Sequence, residues 1–288
     1  MKIGTRMPPF SRQIGFDSYA EWLADNGFDA IDTPLLTKDM AKTCQRLGLE
    51  IGTSDAGSNG LLSRDGAKSR KALAALKKDL TAIAKNGGHT FFTVLGPDDS
   101  SMKRSETFEI FKKVYPKVVA HAEKVGVNIA IEPWPGGAPN YGNLGCTPES
   151  LRRIFEVCPS PNLGICYDPS HFFRIQIDYI RLLSEFGDRV HHVHLKDTEI
   201  IPEKLYESGI LGESYANTYV CGEGWWRYTI PGEGEIDWNQ VLRRLEDFGY
   251  DGVLSVELED HHFWKTPELQ QEGLLRSKDY IEQFLKGR

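Results

Sequence analysis

The stretch Gly164-Ile165-Cys166-Tyr167-Asp168 alternates small side chains with large apolar ones and ends on a carboxylate. Three other short runs repeat the pattern. Asn128-Ile129-Ala130-Ile131 ends on Glu132, His192-Val193 on His194, and Leu254-Ser255-Val256 on Glu257. Residues two apart in a strand share a face. Counting back by two therefore groups Ala130, Cys166, His192 and Ser255 with the four end residues. Ile129 and Ile131, Ile165 and Tyr167, Val193 and Leu195, and Leu254 and Val256 fall on the opposite face. Small or polar groups inside, with large apolar ones facing helices, are what the narrow interior of a parallel barrel requires.

The rest of the chain fits that reading. Strand candidates are Lys2–Thr5, Ala30–Thr33, Glu50–Thr53, Thr90–Leu95, Asn128–Ile131, Leu163–Tyr167, Val190–Leu195 and Val253–Val256. Helical patterns lie between them, at Lys68–Lys85, Thr107–Lys124, Pro148–Val157 and Asn239–Phe248. Thr147-Pro148-Glu149 and Thr266-Pro267-Glu268 each place a capping hydroxyl before a proline at the first helical position. Asp237 is an N-cap with Gln240 three residues on, and Ile236 can staple onto Val241. Eight strands alternating with helices predict a single (β/α)8 TIM barrel over residues 1–288. A doubly wound sheet is the rival. It would normally announce a glycine-rich phosphate turn after an early strand, and no G-x-G-x-x-G or P-loop occurs here.

Composition narrows the function classes. With 34 Lys+Arg against 41 Asp+Glu, the net charge of −7 argues against nucleic acid or an anionic membrane as partner. No apolar run approaches the ~18–20 residues of a membrane helix. The start Met1-Lys2-Ile3-Gly4-Thr5-Arg6 carries no signal-peptide pattern, and five widely spaced cysteines form no C-x-x-C pair. Both features predict a cytoplasmic protein with reduced thiols. Whether it is a monomer, a homo-oligomer or half of a complex with a second subunit is left open by these features.

Glu132, Asp168, His194 and Glu257 share inward parity at consecutive strand ends, where such barrels do their chemistry. Carboxylates plus one imidazole, without cysteine, suit one hard or borderline divalent metal: Mn²⁺ foremost, or Mg²⁺ or Co²⁺. Three carboxylates against M²⁺ leave the bare set near −1, with coordination positions free for two neighbouring sugar oxygens. Tyr167-Asp168-Pro169-Ser170-His171, His192-Val193-His194-Leu195-Lys196-Asp197 and Pro231-Gly232-Glu233-Gly234-Glu235-Ile236-Asp237-Trp238 resemble the sugar isomerase/epimerase group of xylose-isomerase-like TIM barrels. That group includes ketose 3-epimerases, hydroxypyruvate isomerase, inosose dehydratase and keto-glycoside-processing enzymes. The resemblance implies that Glu132, Asp168, His194 and Glu257 hold one metal, with Glu132 and Glu257 flanking the substrate as acid and base. It also implies that His171 and Arg227 contact substrate.

Glu132 to Asp168 is 36 residues and Asp168 to His194 is 26, but His194 to Glu257 is 63. An insertion after strand seven is therefore expected over about 199–230, and it is rich in aromatics: Tyr206, Tyr215, Tyr219, Trp225, Trp226 and Tyr228, beside Arg227. It reads as a lid or substrate wall for a bulky substrate, or as a surface packed on the barrel or a second subunit. Trp134 is a candidate for stacking on a sugar face or for packing at the rim. Lys196 is a candidate for a substrate oxygen or for an ion pair with a rim acid. His192 reads as a hydrogen-bonded interior residue, and His261 and His262 as a solvated loop. Acids around Cys166 disfavour a thiolate nucleophile. Lys68–Lys85 and Lys112–Lys124 read as solvated helix faces.

Glu132 and Glu257, from the fifth and eighth strands, can flank a planar enediolate formed when a C–H beside a metal-chelated carbonyl loses its proton. Proton return on the other face is epimerisation of a keto-sugar. Expulsion of a β-substituent from the same intermediate is a lyase reaction, whether inosose dehydration or cleavage of a 3-keto-glycoside or C-glycoside. A non-catalytic sugar-binding or accessory subunit is the reading from another class. A multi-metal nuclease would need further imidazoles and acids on the early strands and a basic groove, whereas Ile3–Arg6, Asp32–Pro34 and Thr53–Asp55 offer few imidazoles and the net charge is negative.

Overall fold

The structure, a computed structural model, describes residues 1–137, 140–212, 215 and 221–286. Seven parallel strands come first: β1 (Lys2–Thr5), β2 (Ala30–Thr33), β3 (Glu50–Asp55), β4 (Thr90–Val94), β5 (Asn128–Glu132), β6 (Leu163–Tyr167) and β7 (Val190–Leu195). A two-stranded antiparallel ribbon follows, β8 (Asp197–Ile200) with β9 (Trp226–Thr229). Then β10 (Val253–Val256) pairs in parallel with both β7 and β1 and closes an eight-stranded barrel. Closure removes the doubly wound alternative. Among the described residues, no helix is long and apolar enough to cross a membrane.

The parity expected from sequence decides the packing. Ile165, Tyr167, Val193, Leu195, Leu254 and Val256 point outward into a buried layer with Tyr19, Leu23, Trp238, Val241 and Leu245. Ile129 and Ile131 meet Leu76, Leu80, Phe111 and Tyr115 in a second such layer. Helix starts follow their caps. Thr147 accepts from Ser150 N, Thr266 from Leu269 N, and Asp237 from Gln240 N. Two helices begin earlier than the periodicity suggests. Asp65 caps Gly66–Lys85 by accepting from Ala67 N and Lys68 N, and another helix runs Arg104–Val125 with Pro116 inside it. Strand β5 continues to Glu132 because that residue still pairs with Val94 of β4.

The two ends of the connection from β7 to β10 meet at one buried carboxylate. Asp197 Oδ1 accepts from Thr198 N at 2.8 Å and Ile236 N at 3.0 Å, while Oδ2 accepts from Gly232 N at 3.1 Å and Trp238 Nε1 at 2.9 Å. The His192–Asp197 and Pro231–Trp238 motifs are therefore two halves of one knot. Gly234 is required there, since a Cβ would stand 2.2 Å from Asp197 Oδ1. Replacing Asp197 with Asn removes an acceptor from buried donors. Asp197→Asn should lower unfolding free energy by about 2–4 kcal/mol in urea denaturation. An unchanged midpoint would show that the turn holds without it.

Candidate metal centre at the barrel mouth

Strand ends bring four donors together. Glu132 closes β5, Asp168 follows β6, His194 lies in β7 and Glu257 follows β10, with one ligand-type atom from each within 4.8 Å of all the others. His194 Nδ1 is 2.9 Å from Glu132 Oε1 and 3.3 Å from Glu257 Oε2. Asp168 is also the N-cap of the helix Pro169–Arg174: its Oδ1 accepts from Ser170 N at 2.9 Å and Ser170 Oγ at 2.6 Å. Those bonds fix the carboxylate plane and leave Oδ2 facing the cluster. Asp168 Oδ2 and His194 Nε2 are buried and make no hydrogen bond. An oxygen-rich donor set, with one buried carboxylate oxygen that accepts no hydrogen bond and faces only ion-pair partners, fits a hard divalent cation.

Lys196 and His171 complete the cluster. The buried Lys196 Nζ donates to Glu257 Oε2 at 2.5 Å and Glu259 Oε2 at 3.0 Å, and lies 3.2 Å from Asp168 Oδ2. Thus the ion-pair alternative for Lys196 describes its actual contacts, and its charge offsets the net −1 counted from sequence. His171 Nε2 lies 3.6 Å from Glu132 Oε1 and 3.4 Å from Asp168 Oδ2, while its Nδ1 meets the Tyr228 hydroxyl at 2.6 Å. Arg6 Nε approaches Glu257 Oε1 at 3.3 Å, and its guanidinium stacks 4.2 Å over Phe92.

Burial opposes every charge in this group, so partners decide the ionisation. Burial and Glu257 push the Glu132 carboxyl up, but hydrogen bonds from His171 and His194 outweigh them and hold it below its usual range. Lys196, His194 and Arg6 overcome burial to hold Glu257 well below its usual range. For Glu259 burial prevails over Lys196, and its carboxyl is raised. Lys196 stays charged because Asp168, Glu257 and Glu259 outweigh its desolvation. Burial pushes the Cys166 thiol up to about 12, so no thiolate forms there.

One layer down, Asp32 of β2 is the hub. Its Oδ2 accepts from His192 Nε2 at 3.0 Å and Ser255 Oγ at 2.7 Å, its Oδ1 accepts from Thr53 N at 2.7 Å, and His194 Nε2 stands 3.8 Å from Oδ2. His192 is thus the hydrogen-bonded interior residue its position suggested. Burial works against the ionised Asp32, but His192 and His194 prevail and lower its carboxyl.

Two sequence candidates lie outside the cluster. Arg227 donates to Glu199 Oε2 at 2.6 Å and Asp260 Oδ1 at 3.1 Å. Trp134 stands at the rim, 40% exposed. In the 199–230 segment Trp225, Trp226 and Tyr228 are buried together, Tyr206 and Tyr215 are exposed, and Tyr219 lies outside the described residues. Arg6, Asp32, Glu259 and Arg174 join the site or its support without having been singled out. Parity was the available signal for three of them: Arg6 follows Gly4 by two, Asp32 follows Ala30, and Glu259 follows Glu257. Arg174 carried no such signal.

A (β/α)8 barrel with a carboxylate–imidazole cluster at its strand ends is the class that this geometry defines. Within it, the chain belongs to the xylose isomerase-like TIM barrel family, whose profile matches residues 10–280. Inosose dehydratase of Salmonella agona (strain SL483) is 32% identical over 138 residues, 48% of this chain and 42% of that enzyme. The matched segment is thus under half the length of that relative. D-psicose 3-epimerase, crystallised in the presence of D-fructose, has a TM-score of 0.73 at 18% identity, covering 100% of both chains. 3-Keto-D-glucoside 4-epimerase from E. coli has a TM-score of 0.70 at 17% identity, covering 98% of this chain and 99% of its own. At these identities the two structures speak to the fold.

Removing Asp32 would leave His192, Ser255 and Thr53 N without their acceptor. Asp32→Ala should cost about 3–5 kcal/mol of unfolding free energy, read by urea denaturation. A cost under about 1 kcal/mol, the range of exposed pairs, would show that the inner layer reorganises freely.

Proposed function

We propose that this chain is a metal-dependent enzyme that removes a proton beside the carbonyl of a keto-sugar, with epimerisation as the outcome. The observation that carries this reading is the approach of Glu132 and Glu257 to the same His194 nitrogen, at 2.9 and 3.3 Å, from strands separated by β6 and β7. Two carboxylates held ionised on either side of one point are suited to remove and return a proton on opposite faces of a planar carbon.

Glu132, Asp168, His194 and Glu257 would hold the cation, Mn²⁺ first and Mg²⁺ or Co²⁺ as alternatives, all being hard or borderline ions for this donor set. Bound there, a divalent cation would polarise the carbonyl and adjacent hydroxyl oxygens of the sugar and make the neighbouring C–H more acidic. The chain supplies the rest. Lys196 and Arg6 keep Glu257 ionised, so that it accepts a proton at neutral pH. His171, oriented through Tyr228, presents Nε2 to a substrate oxygen beside Glu132. Lys196 offers a fixed positive charge near the same oxygens, and Trp134 a flat apolar face at the rim. Arg227 acts through Glu199 and Asp260 on the wall of the mouth.

The lyase reading is favoured by the match of about half of this chain to an inosose dehydratase. It uses the same carboxylates and differs only in whether a β-substituent leaves. A non-catalytic sugar binder would show no turnover with any keto-sugar.

Metal analysis after reconstitution should give about one equivalent per chain, falling in Asp168→Ala and His194→Ala. Full occupancy in both variants would overturn the ligand set. With a keto-sugar in D₂O, deuterium should appear at the carbon beside the carbonyl, or a β-substituent should be eliminated. Glu132→Gln and Glu257→Gln should each slow that step ~10²–10⁴-fold. Product that keeps every original C–H beside the carbonyl would defeat the mechanism.

A further inference from the structure

We propose that the cleft between the loops after β3, β4 and β5 is a subsite for a second sugar ring, so that the substrate is a two-ring keto-glycoside. This rests on the keto-sugar reading above and names its substrate class. The cleft has a volume of about 520 Å³ and is walled by Asn59, Ser100, Trp134, Asn140, Tyr141 and Asn143. That volume lies within the ~300–1,000 Å³ of small-molecule sites. It reaches the end of β4, the strand next to the one that carries Glu132. Val94, in its floor, is the register partner of Glu132, and Trp134 follows Glu132 by two residues.

The lining chemistry selects the ligand. An indole 40% open to solvent is surrounded by neutral amides and hydroxyls, the combination that binds the apolar face and the hydroxyl edge of a pyranose. No lysine or arginine occurs among the described lining residues, which disfavours a phosphate. The one acid there, Asp98, is already engaged by Lys68 Nζ at 2.6 Å and Ser63 Oγ at 2.9 Å. An extended aromatic aglycone would need an apolar slot in place of these amides.

The described parts of the wall are tied down before any ligand arrives. Asn143 Nδ2 donates to Trp134 O at 3.1 Å, and Leu144 N donates to Leu95 O at 2.9 Å, joining the loops after β5 and β4. The buried Arg174 donates to Gly136 O at 3.2 Å while its guanidinium stacks 4.2 Å over Trp226. Tyr141 donates to Glu223 Oε2 at 2.7 Å, and its backbone has a φ of 41°, a left-handed conformation costly for a bulky side chain. Side chains from the helix after β6 and from the approach to β9 thus fix the wall of a cleft formed by three other loops.

The test compares Mn²⁺-loaded enzyme on 3-keto-glucosides bearing a methyl group, a second glucose or a phenyl group as aglycone. The two-ring sugar should be favoured over the methyl glycoside in kcat/KM by about tenfold or more, the scale of one packed aromatic contact. Trp134→Ala should bring that ratio to within about twofold, and Trp134→Phe should restore most of it. Equal kcat/KM for the methyl and glucosyl substrates, a preference for phenyl, or a ratio unmoved by Trp134→Ala would each overturn the subsite. Saturation-transfer NMR with cellobiose, an unreactive two-ring probe, separates the two readings. If no keto-sugar turns over but both rings receive saturation in wild type and lose it in Trp134→Ala, the subsite stands and the keto-sugar chemistry falls. Absence of transfer to the second ring overturns the subsite.

Discussion

Mutual repulsion among carboxylates in a closed barrel mouth is the constraint that the other features answer. Glu132, Asp168 and Glu257 converge within a few ångströms, with Glu259 beside them and Asp32 beneath. Two like charges 4 Å apart at an effective dielectric of 20 repel by about 4 kcal/mol. Lys196 sits where it touches three of these acids, Arg6 reaches across from β1 to Glu257, and two histidines face the set. Lys196 is itself fully buried and keeps its charge because the acids around it outweigh its desolvation. Neither sign is tolerable alone, which makes the mouth a single electrostatic unit.

Much of this was legible from residue alternation. A period of two, anchored on carboxylates at strand ends, located all four cluster residues and separated them from the outward apolar set. The same rule carried back to β1 and β2 reaches Arg6 and Asp32. What alternation does not reach is contact between loops. Tyr228 meets His171 only because the β8–β9 ribbon folds over the mouth, and Arg174 meets Gly136 only because the helix after β6 passes under the loop after β5. Arg227 shows the converse. Its resemblance-based role in substrate contact has to be squared with a guanidinium already engaged by Glu199 and Asp260. Element ends moved by one to three residues, as with Glu132 opposite Val94, Asp65 before Gly66 and the helix that starts at Arg104.

The barrel and its loops divide the work. Strands deliver donors whose spacing depends on barrel closure, so the converging carboxylates are a shared property of the architecture. Loops supply what surrounds a substrate once it is held: the ribbon, the walls after β3, β4 and β5, and the Asp197 knot that fixes where the ribbon returns. Epimerisation and elimination differ in the fate of an atom away from the reacting carbon. The loops that surround that atom are accordingly where one outcome is separated from the other.

The bond between Tyr228 and His171 has a consequence for modularity. One hydroxyl from the ribbon determines which nitrogen of a site imidazole is turned toward the mouth. The ribbon therefore cannot be exchanged as an interchangeable cover. A chimera that grafted the corresponding segment of another barrel would carry over a ribbon but leave His171 free to rotate, unless the donor segment also brought a hydrogen-bonding group to that point. Inheritance of the ribbon and of the helix bearing His171 is thereby coupled, though the two lie far apart along the chain.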